Sequence, residues 1–188
     1  MSPPCRRCGR HSVSEPGNWT LHVTFVCSGN ICRSPMAEKM FVHQIAQRGL
    51  ADVVRVSSAG TGDWHVGAGA DDRAVRVLRE RGYPMAHRAA QVGADHLSAD
   101  MVVALGRNHL RILTDFGVQT DRLRMLRSFD PRSGAHALDV EDPYYGDHAD
   151  FEDVFTVIDA ALPGLHSWVD ERLAPKESDP EGSDTEGS

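Results

Sequence analysis

The sequence predicts an α/β fold: a single three-layer domain on a four-stranded parallel sheet, with helices on both faces and an anion-binding loop after the first strand. Three observations carry that expectation. Short apolar and β-branched runs alternate with stretches of helical apolar period, glycines 49, 82 and 117 close the helical stretches, and the first run ends in a small-residue loop leading into Ser34-Pro35. Strands alternating with helices call for right-handed crossovers. Ligands of such sheets bind beyond the carboxyl ends of the strands, which here means just after Cys27.

Residues 1 to 20 mix Pro, Gly, Ser and Arg without an apolar period and read as a flexible amino-terminal extension. Leu21 to Cys27 is the first strand. The helix from Ser34 to Arg48 places Met36, Met40, Phe41 and Ile45 on one face, with Ser34 as its cap and Pro35 as its first residue. Val53 to Ser58 is a second strand. Asp71 to Arg81 is a second helix with Ala74, Val75 and Leu78 inward, closed by Gly82 and Pro84. Met101 to Leu105 is a third strand, Arg107 to Phe116 a third helix, and Arg122 to Leu126 a short fourth strand. From Asp150 to Leu173 the residues Phe151, Val154, Phe155, Ile158, Leu162, Leu165 and Val169 keep a helical spacing. Pro163-Gly164 is expected to split that helix into two pieces. The domain proper is thus residues 21–173. Residues 174–188, with five acidic side chains and one lysine, form a disordered acidic tail.

With 188 residues, 40% hydrophobic and 25% charged, the chain has an ordinary globular composition and enough apolar mass for one core. A formal charge of −7 argues against nucleic acid or an anionic membrane as a partner. No apolar run approaches the roughly 18 residues that cross a bilayer, and no secretory leader opens the chain, so a cytoplasmic location is expected. A monomer is expected separately, without a sequence feature that decides it. The four cysteines, at positions 5, 8, 27 and 32, are too few for a disulfide scaffold and read as reduced and chemically specialised. Cys5, Cys8 and His11 offer three ligands where a structural zinc site needs four, so no metal is expected.

The chemistry concentrates in Cys27-Ser28-Gly29-Asn30-Ile31-Cys32-Arg33-Ser34. A cysteine six residues before an arginine is weak evidence alone in an arginine-rich chain. Its setting makes it strong: the cysteine ends a strand, Gly29 and Asn30 tolerate positive φ, and a helix opens directly after. Five intervening residues let successive backbone N–H groups curl around one phosphate-sized dianion. Arg33 closes the cradle with a planar fork that lysine cannot reproduce. The same field favours a thiolate, which makes Cys27 a nucleophile.

This loop, with its Ser-Pro and the distant Asp142-Pro143-Tyr144-Tyr145-Gly146, resembles the low molecular weight protein tyrosine phosphatases over about residues 21 to 173. Thr61-Gly-Asp-Trp-His65 and Ser128-Phe-Asp-Pro-Arg-Ser-Gly134 resemble the mycobacterial members of that family. The resemblance implies hydrolysis of phosphotyrosine in protein substrates through a phosphocysteine at Cys27, with inorganic phosphate as product and no cofactor. Arg33 matches the phosphate clamp and Asp142 the general acid and base. Ser28, Gly29, Asn30, Ile31, Cys32 and Ser34 match the phosphate cradle, and Ser34 the hydroxyl that bonds the thiolate. Trp64, Tyr144 and Tyr145 match the aromatic rim that selects flat aryl phosphates. Asn30 resembles the asparagine held in positive φ by a network that reaches Ser58 and His87.

One departure from the family pattern is Gly106, where aspartate is common. Its absence predicts a weaker start to the following helix. Three rival readings remain weaker. A thiol-dependent arsenate reductase needs cysteines downstream, and none follows residue 32. A protein arginine phosphatase commonly has threonine where Ile31 stands. A catalytically idle phosphotyrosine-binding module is expected to have lost Cys27, Arg33 or Asp142. Finally, Cys32 is a candidate to resolve an oxidised Cys27 as a disulfide, its alternative being a small apolar filler.

Overall fold

Strand β1 (Leu21–Cys27) is central, paired on both edges, with Leu21, Val23, Phe25 and Cys27 facing one core and Val26 the other. It pairs in parallel with β2 (Val54–Gly60), from Leu21 opposite Val54 to Cys27 opposite Gly60, and with β3 (Met101–Ala104) on its other edge. The last strand, β4 (Leu123–Met125), pairs with β3, which gives the sheet order β2-β1-β3-β4, all parallel. The computed structural model describes residues 19–134 and 137–175. Expectations for the first 18 residues, including Cys5, Cys8 and His11, and for the tail from residue 176 lie outside the described residues.

Val23, Phe25 and Cys27 face the larger core together with α1 (Arg33–Gln47), α2 (Asp72–Glu80) and α5 (His148–Leu173). Phe25 meets Phe41 of α1 edge to face, with ring centroids 5.8 Å apart. Val26, Val102 and Ala104 face a smaller core closed by Leu113 of α4 (Arg107–Asp115), with Leu97 of the one-turn helix α3 (Ala94–Leu97) packed against it. The expected three-layer architecture is thus present, and β1 and β3 are buried on both faces. Among the described residues, no helix is long and apolar enough to cross a membrane.

Four local expectations need correction. The first helix starts one residue early, at Arg33, with Cys32 in the cap position, so Ser34 lies in the first turn and does not cap it. Pro35 is still tolerated because the first four helical N–H groups lack intrahelical partners. In α2 the inward residues are Ala74, Val77 and Leu78 rather than Val75.

The last helix does not split. Pro163 is on its exposed side, and Ala161, Leu162, Leu165 and Val169 are buried across the break point. The packing of that face outweighs the roughly 3 kcal/mol a helical proline costs. Gly164 serves contact, since a Cβ there would come within 2.1 Å of the Phe129 carbonyl oxygen.

Nor is α4 left uncapped by Gly106. Asp139, from a distant loop, accepts from the Arg107 N–H at 2.6 Å and pairs with the Arg107 side chain at 2.5 Å. A Cβ at Gly106 would stand 3.0 Å from that carboxylate, so the small residue makes room for a cap delivered in trans.

Candidate active site

The loop between β1 and α1 is tied outward by its carbonyls. Those of Cys27, Ser28 and Ile31 accept from the N–H groups of Thr61 (2.8 Å), Gly62 (2.9 Å) and Asp71 (2.8 Å). The Asn30 carbonyl accepts from His87 Nε2 at 2.8 Å. Since C=O and N–H point opposite ways across a peptide, the N–H groups that follow these carbonyls turn inward. They meet the amino end of α1 at the floor of a cavity of about 340 Å³, which Cys27, Ile31 and Arg33 line from below.

Asn30 has φ 55°, the only positive value outside glycine among the described residues. Gly29, by contrast, keeps a negative φ, and its missing Cβ admits His65, whose ring carbon would otherwise lie 2.8 Å away. Asn30 is buried and fully used. Its Nδ2 donates to Ser34 Oγ at 2.9 Å and to Ser58 Oγ at 2.8 Å, while its Oδ1 accepts from the Ala90 N–H at 2.9 Å. Ser34 Oγ is 3.0 Å from Cys27 Sγ. Ser34 accepts from Asn30, and its own hydrogen can serve the sulfur or, at a longer 3.4 Å, the Ala59 carbonyl.

Behind Asn30 the chain of contacts continues. The Ser58 hydroxyl donates to Glu38, and His87 Nδ1 is 3.8 Å from Glu38 Oε2. Burial lowers the His87 pKa more than the bond to the Asn30 carbonyl and the Glu38 charge raise it, and a neutral ring with the proton on Nε2 suits that carbonyl.

Arg33 is buried against the opposite wall. Its Nη1 donates to the Val140 carbonyl at 3.1 Å, and its Nη2 reaches Asp142 Oδ2 at 2.5 Å and Ser28 Oγ at 3.4 Å. Its Nε–H is buried with no partner among the described residues, a donor suited to an anion in the cradle. Ser28 Oγ also meets His109 Nε2 at 2.9 Å. Burial first, then the Arg33 charge, pushes His109 down to about 4, so its ring is neutral near pH 7. Burial, with Asp71, Cys27 and Asp142 adding to it, pushes the Cys32 thiol up to about 12.

Asp142 opens the second loop. It caps the short 3-10 turn Pro143–Tyr145, its Oδ1 accepting from the Tyr144 N–H at 3.3 Å, while its other oxygen meets Arg33. Trp64, Tyr144 and Tyr145 are all exposed and complete the cavity's rim, the two tyrosine rings meeting edge to face at 4.9 Å. The structure therefore brings Cys27, Ser28, Gly29, Ile31, Cys32, Arg33, Trp64, Asp142, Tyr144 and Tyr145 to one cleft, with Asn30, Ser34, Ser58 and His87 in the network directly behind it. A cysteine cradle and an Asp-Pro-Tyr-Tyr turn, so far apart in sequence yet sharing one cavity, point to a single family.

The family model for low molecular weight phosphotyrosine protein phosphatases matches residues 22–177. The chain belongs to this family. It is 73% identical over 162 residues to low molecular weight protein-tyrosine phosphatase A of Mycobacterium tuberculosis, covering 86% of this chain and 97% of that one. Among solved structures, YfkJ from Bacillus subtilis superposes with a TM-score of 0.74 at 32% identity, covering 85% of this chain and all of the other. A drosophila arginine phosphatase superposes with a TM-score of 0.71 at 27% identity, covering 84% and 99%.

Within this phosphatase family site, sequence reasoning did not find Glu38, His65, Asp71, Arg73 or His109. Glu38 and His109 carry no local signal, since an acidic or histidine residue in an amphipathic helix is usually solvent-facing. Asp71 had one, an aspartate at the expected start of the helix; the structure makes it the cap of α2, its carboxylate accepting from the Arg73 N–H at 2.9 Å.

Proposed function

We propose that this chain is a protein tyrosine phosphatase that hydrolyses phosphotyrosine and related aryl phosphate monoesters through a phosphocysteine at Cys27. The observation that carries this reading is the convergence of Cys27, Arg33 and Asp142 on one cavity with an aromatic rim. In the first step the Cys27 thiolate attacks phosphorus, the aryl P–O bond breaks, and Asp142 gives its proton to the departing phenolate oxygen. In the second, Asp142 takes a proton from water as that water attacks phosphorus, the P–S bond breaks, and inorganic phosphate leaves.

The inward N–H groups and Arg33 hold the equatorial oxygens, where charge gathers in the transition state. Ser34, oriented by Asn30, supports the thiolate, and Ser58, Glu38 and His87 keep Asn30 in its positive φ. Arg33 exchanges Asp142 for the phosphoryl group when substrate arrives, which frees the carboxyl group for the leaving oxygen.

The likeness to an arginine phosphatase makes phosphoarginine the second reading. Ile31 against the cavity offers no hydrogen bond to a guanidinium, which favours tyrosine. Turnover of a phosphotyrosine peptide and a phosphoarginine peptide of matched sequence tests the choice, with the tyrosine ester expected to lead by orders of magnitude. Acid quenching during turnover should leave phosphate on Cys27, detectable by mass, and none in Cys27→Ala. An unphosphorylated wild-type enzyme under these conditions, with burst-free kinetics, contradicts the covalent route.

A reduced nucleophilic thiol suits a cytoplasmic setting and signalling substrates. Under peroxide, Cys27 sulfenic acid and the Cys32 thiol condense to a disulfide with loss of water. Cys32 is mostly protonated near neutral pH, so this closure is slow and speeds up with pH. Peroxide followed by dithiothreitol should restore wild-type activity but leave Cys32→Ser largely inactive; equal recovery assigns Cys32 to packing alone.

A further inference from the structure

The cysteine cradle and the acid loop are more than 100 residues apart in sequence, and a pair outside the chemistry joins them. Asp71 donates its backbone N–H to the Ile31 carbonyl of the cradle at 2.8 Å. Its carboxylate is taken by Arg73, with Nε on Oδ1 at 2.9 Å and Nη2 on Oδ2 at 2.8 Å. The rest of that guanidinium turns to the other loop. Nη1 donates to the Gly146 carbonyl at 2.8 Å and Nη2 to the Tyr144 carbonyl at 3.0 Å. The Arg73 guanidinium carbon also lies 4.6 Å from the centroid of Phe151, a buried residue in the first turn of α5.

Each of these contacts is directional. The fork geometry lets one planar group hold a carboxylate along one edge and two carbonyls along another. The Arg73 charge is already compensated by Asp71, whose carboxyl is held below its ordinary range mainly by the Arg73 hydrogen bonds. A free phosphate-binding cation would not be neutralised in this way. The two carbonyls it grips belong to the Asp142-Pro-Tyr-Tyr-Gly turn, just beyond the carboxyl group that must meet the leaving oxygen.

We propose that Arg73, locked by Asp71, is a positioning residue that sets the acid loop over the cysteine cradle and so governs proton delivery to the leaving group. The assignment rests on Asp142 as the general acid. It deepens that reading by naming what fixes the acid's place: a bridge that begins on the cradle itself and ends on the backbone two and four residues after the acid. Arg73 touches no reacting atom. Its loss costs the reaction only the part that depends on where the proton is.

The test compares turnover of a poor and a good leaving group, phenyl phosphate and 2,4-dinitrophenyl phosphate, in wild type, Arg73→Ala, Asp142→Asn and the double variant. Arg73→Ala should lose about 10- to 100-fold in kcat on phenyl phosphate, and far less on the dinitrophenyl ester, which departs without a proton. In the Asp142→Asn background Arg73→Ala should add little on either ester, because there is no proton left to position. Arg73→Lys, which keeps the charge and the aliphatic stem, guards against a folding artefact. It should retain wild-type thermal stability more closely than alanine yet share the phenyl phosphate defect, since one ammonium cannot serve the carboxylate and both carbonyls. Equal losses on both esters, or an undiminished effect in the Asp142→Asn background, would overturn the proposal and leave Arg73 as scaffold. If Asp142→Asn itself slows both esters alike, the general-acid reading falls first and this one with it; leaving-group discrimination by Asp142→Asn but not by Arg73→Ala overturns only this one.

Discussion

The two loops that make the site are built in opposite ways. The cysteine loop is inside the molecule: Asn30 and Ser34 are 0% exposed, Cys27 is 2% and Arg33 is 6%. Its carbonyls are tied to three neighbouring segments and its asparagine to three more groups. The acid loop is at the surface, with the Asp142 side chain 47% exposed and Tyr145 95%. It is held by the Arg33 pair, a single 3-10 turn and Arg73. A nucleophile and its oxyanion donors gain from rigidity, because preorganised dipoles need no rearrangement during reaction. A group that must give a proton and then take one, with product leaving between, gains from freedom to move.

Substitutions that sharpen this contrast differ in size. The largest effect is expected in the buried loop, where Cys27→Ser should remove essentially all turnover of every ester, measured by phosphate release. Arg33→Lys follows, with kcat down by roughly 100-fold or more whatever the leaving group, because a point charge cannot make the paired contacts that strengthen in the transition state. A variant with normal kcat and only a raised KM would assign Arg33 to uniform binding instead.

Smaller effects fall on stability. Gly164→Ala forces a methyl group into the Phe129 carbonyl, and a loss of about 1–3 kcal/mol is expected in urea unfolding. Asp139→Ala should cost about 1 kcal/mol by removing the cap of α4, without changing the leaving-group profile.

Acid sensitivity gives the gentlest comparison. His109 under the cradle and His22 at the start of β1 are both pushed down to about 4, mainly by burial. Below about pH 6.5 the unfolded chain binds these protons and the folded chain does not. Their contribution to stability should therefore be full above about pH 6.5 and fall as pH drops toward 4. Replacing His22 with Asn should flatten part of that slope in unfolding curves taken across this range; an unchanged slope would remove His22 as a source of the acid sensitivity.

The sequence was most legible where local chemistry decides. Strand β1 ends at Cys27 as expected, because an apolar run meeting a Gly-Asn loop has one reading, and α1 keeps its Met36, Met40, Phe41 and Ile45 face. What escaped was decided by distant partners. Pro163 reads as a break in any single-helix view, and only the buried face of α5 overrules it. Gly106 reads as a lost cap until Asp139 arrives from another loop. The same holds in the site: Cys27, Arg33 and Asp142 belong to motifs, whereas Glu38, Arg73 and His109 reach the site through contacts with residues distant in sequence. Residues that hold a site together leave weaker marks in sequence than residues that perform its chemistry, because many side chains can brace a loop and few can attack phosphorus.

The division of labour between the loops is tested most directly by the rate of phosphoenzyme formation with 2,4-dinitrophenyl phosphate, followed by rapid quench. That ester leaves without a proton, so the buried loop alone should suffice. Asp142→Asn should form phosphocysteine within about 10-fold of the wild-type rate, while Arg33→Lys should fall behind by about 100-fold or more. An Asp142→Asn enzyme as slow as Arg33→Lys with this ester would contradict the account, because it would show the exposed carboxylate at work inside the cradle rather than on the leaving oxygen.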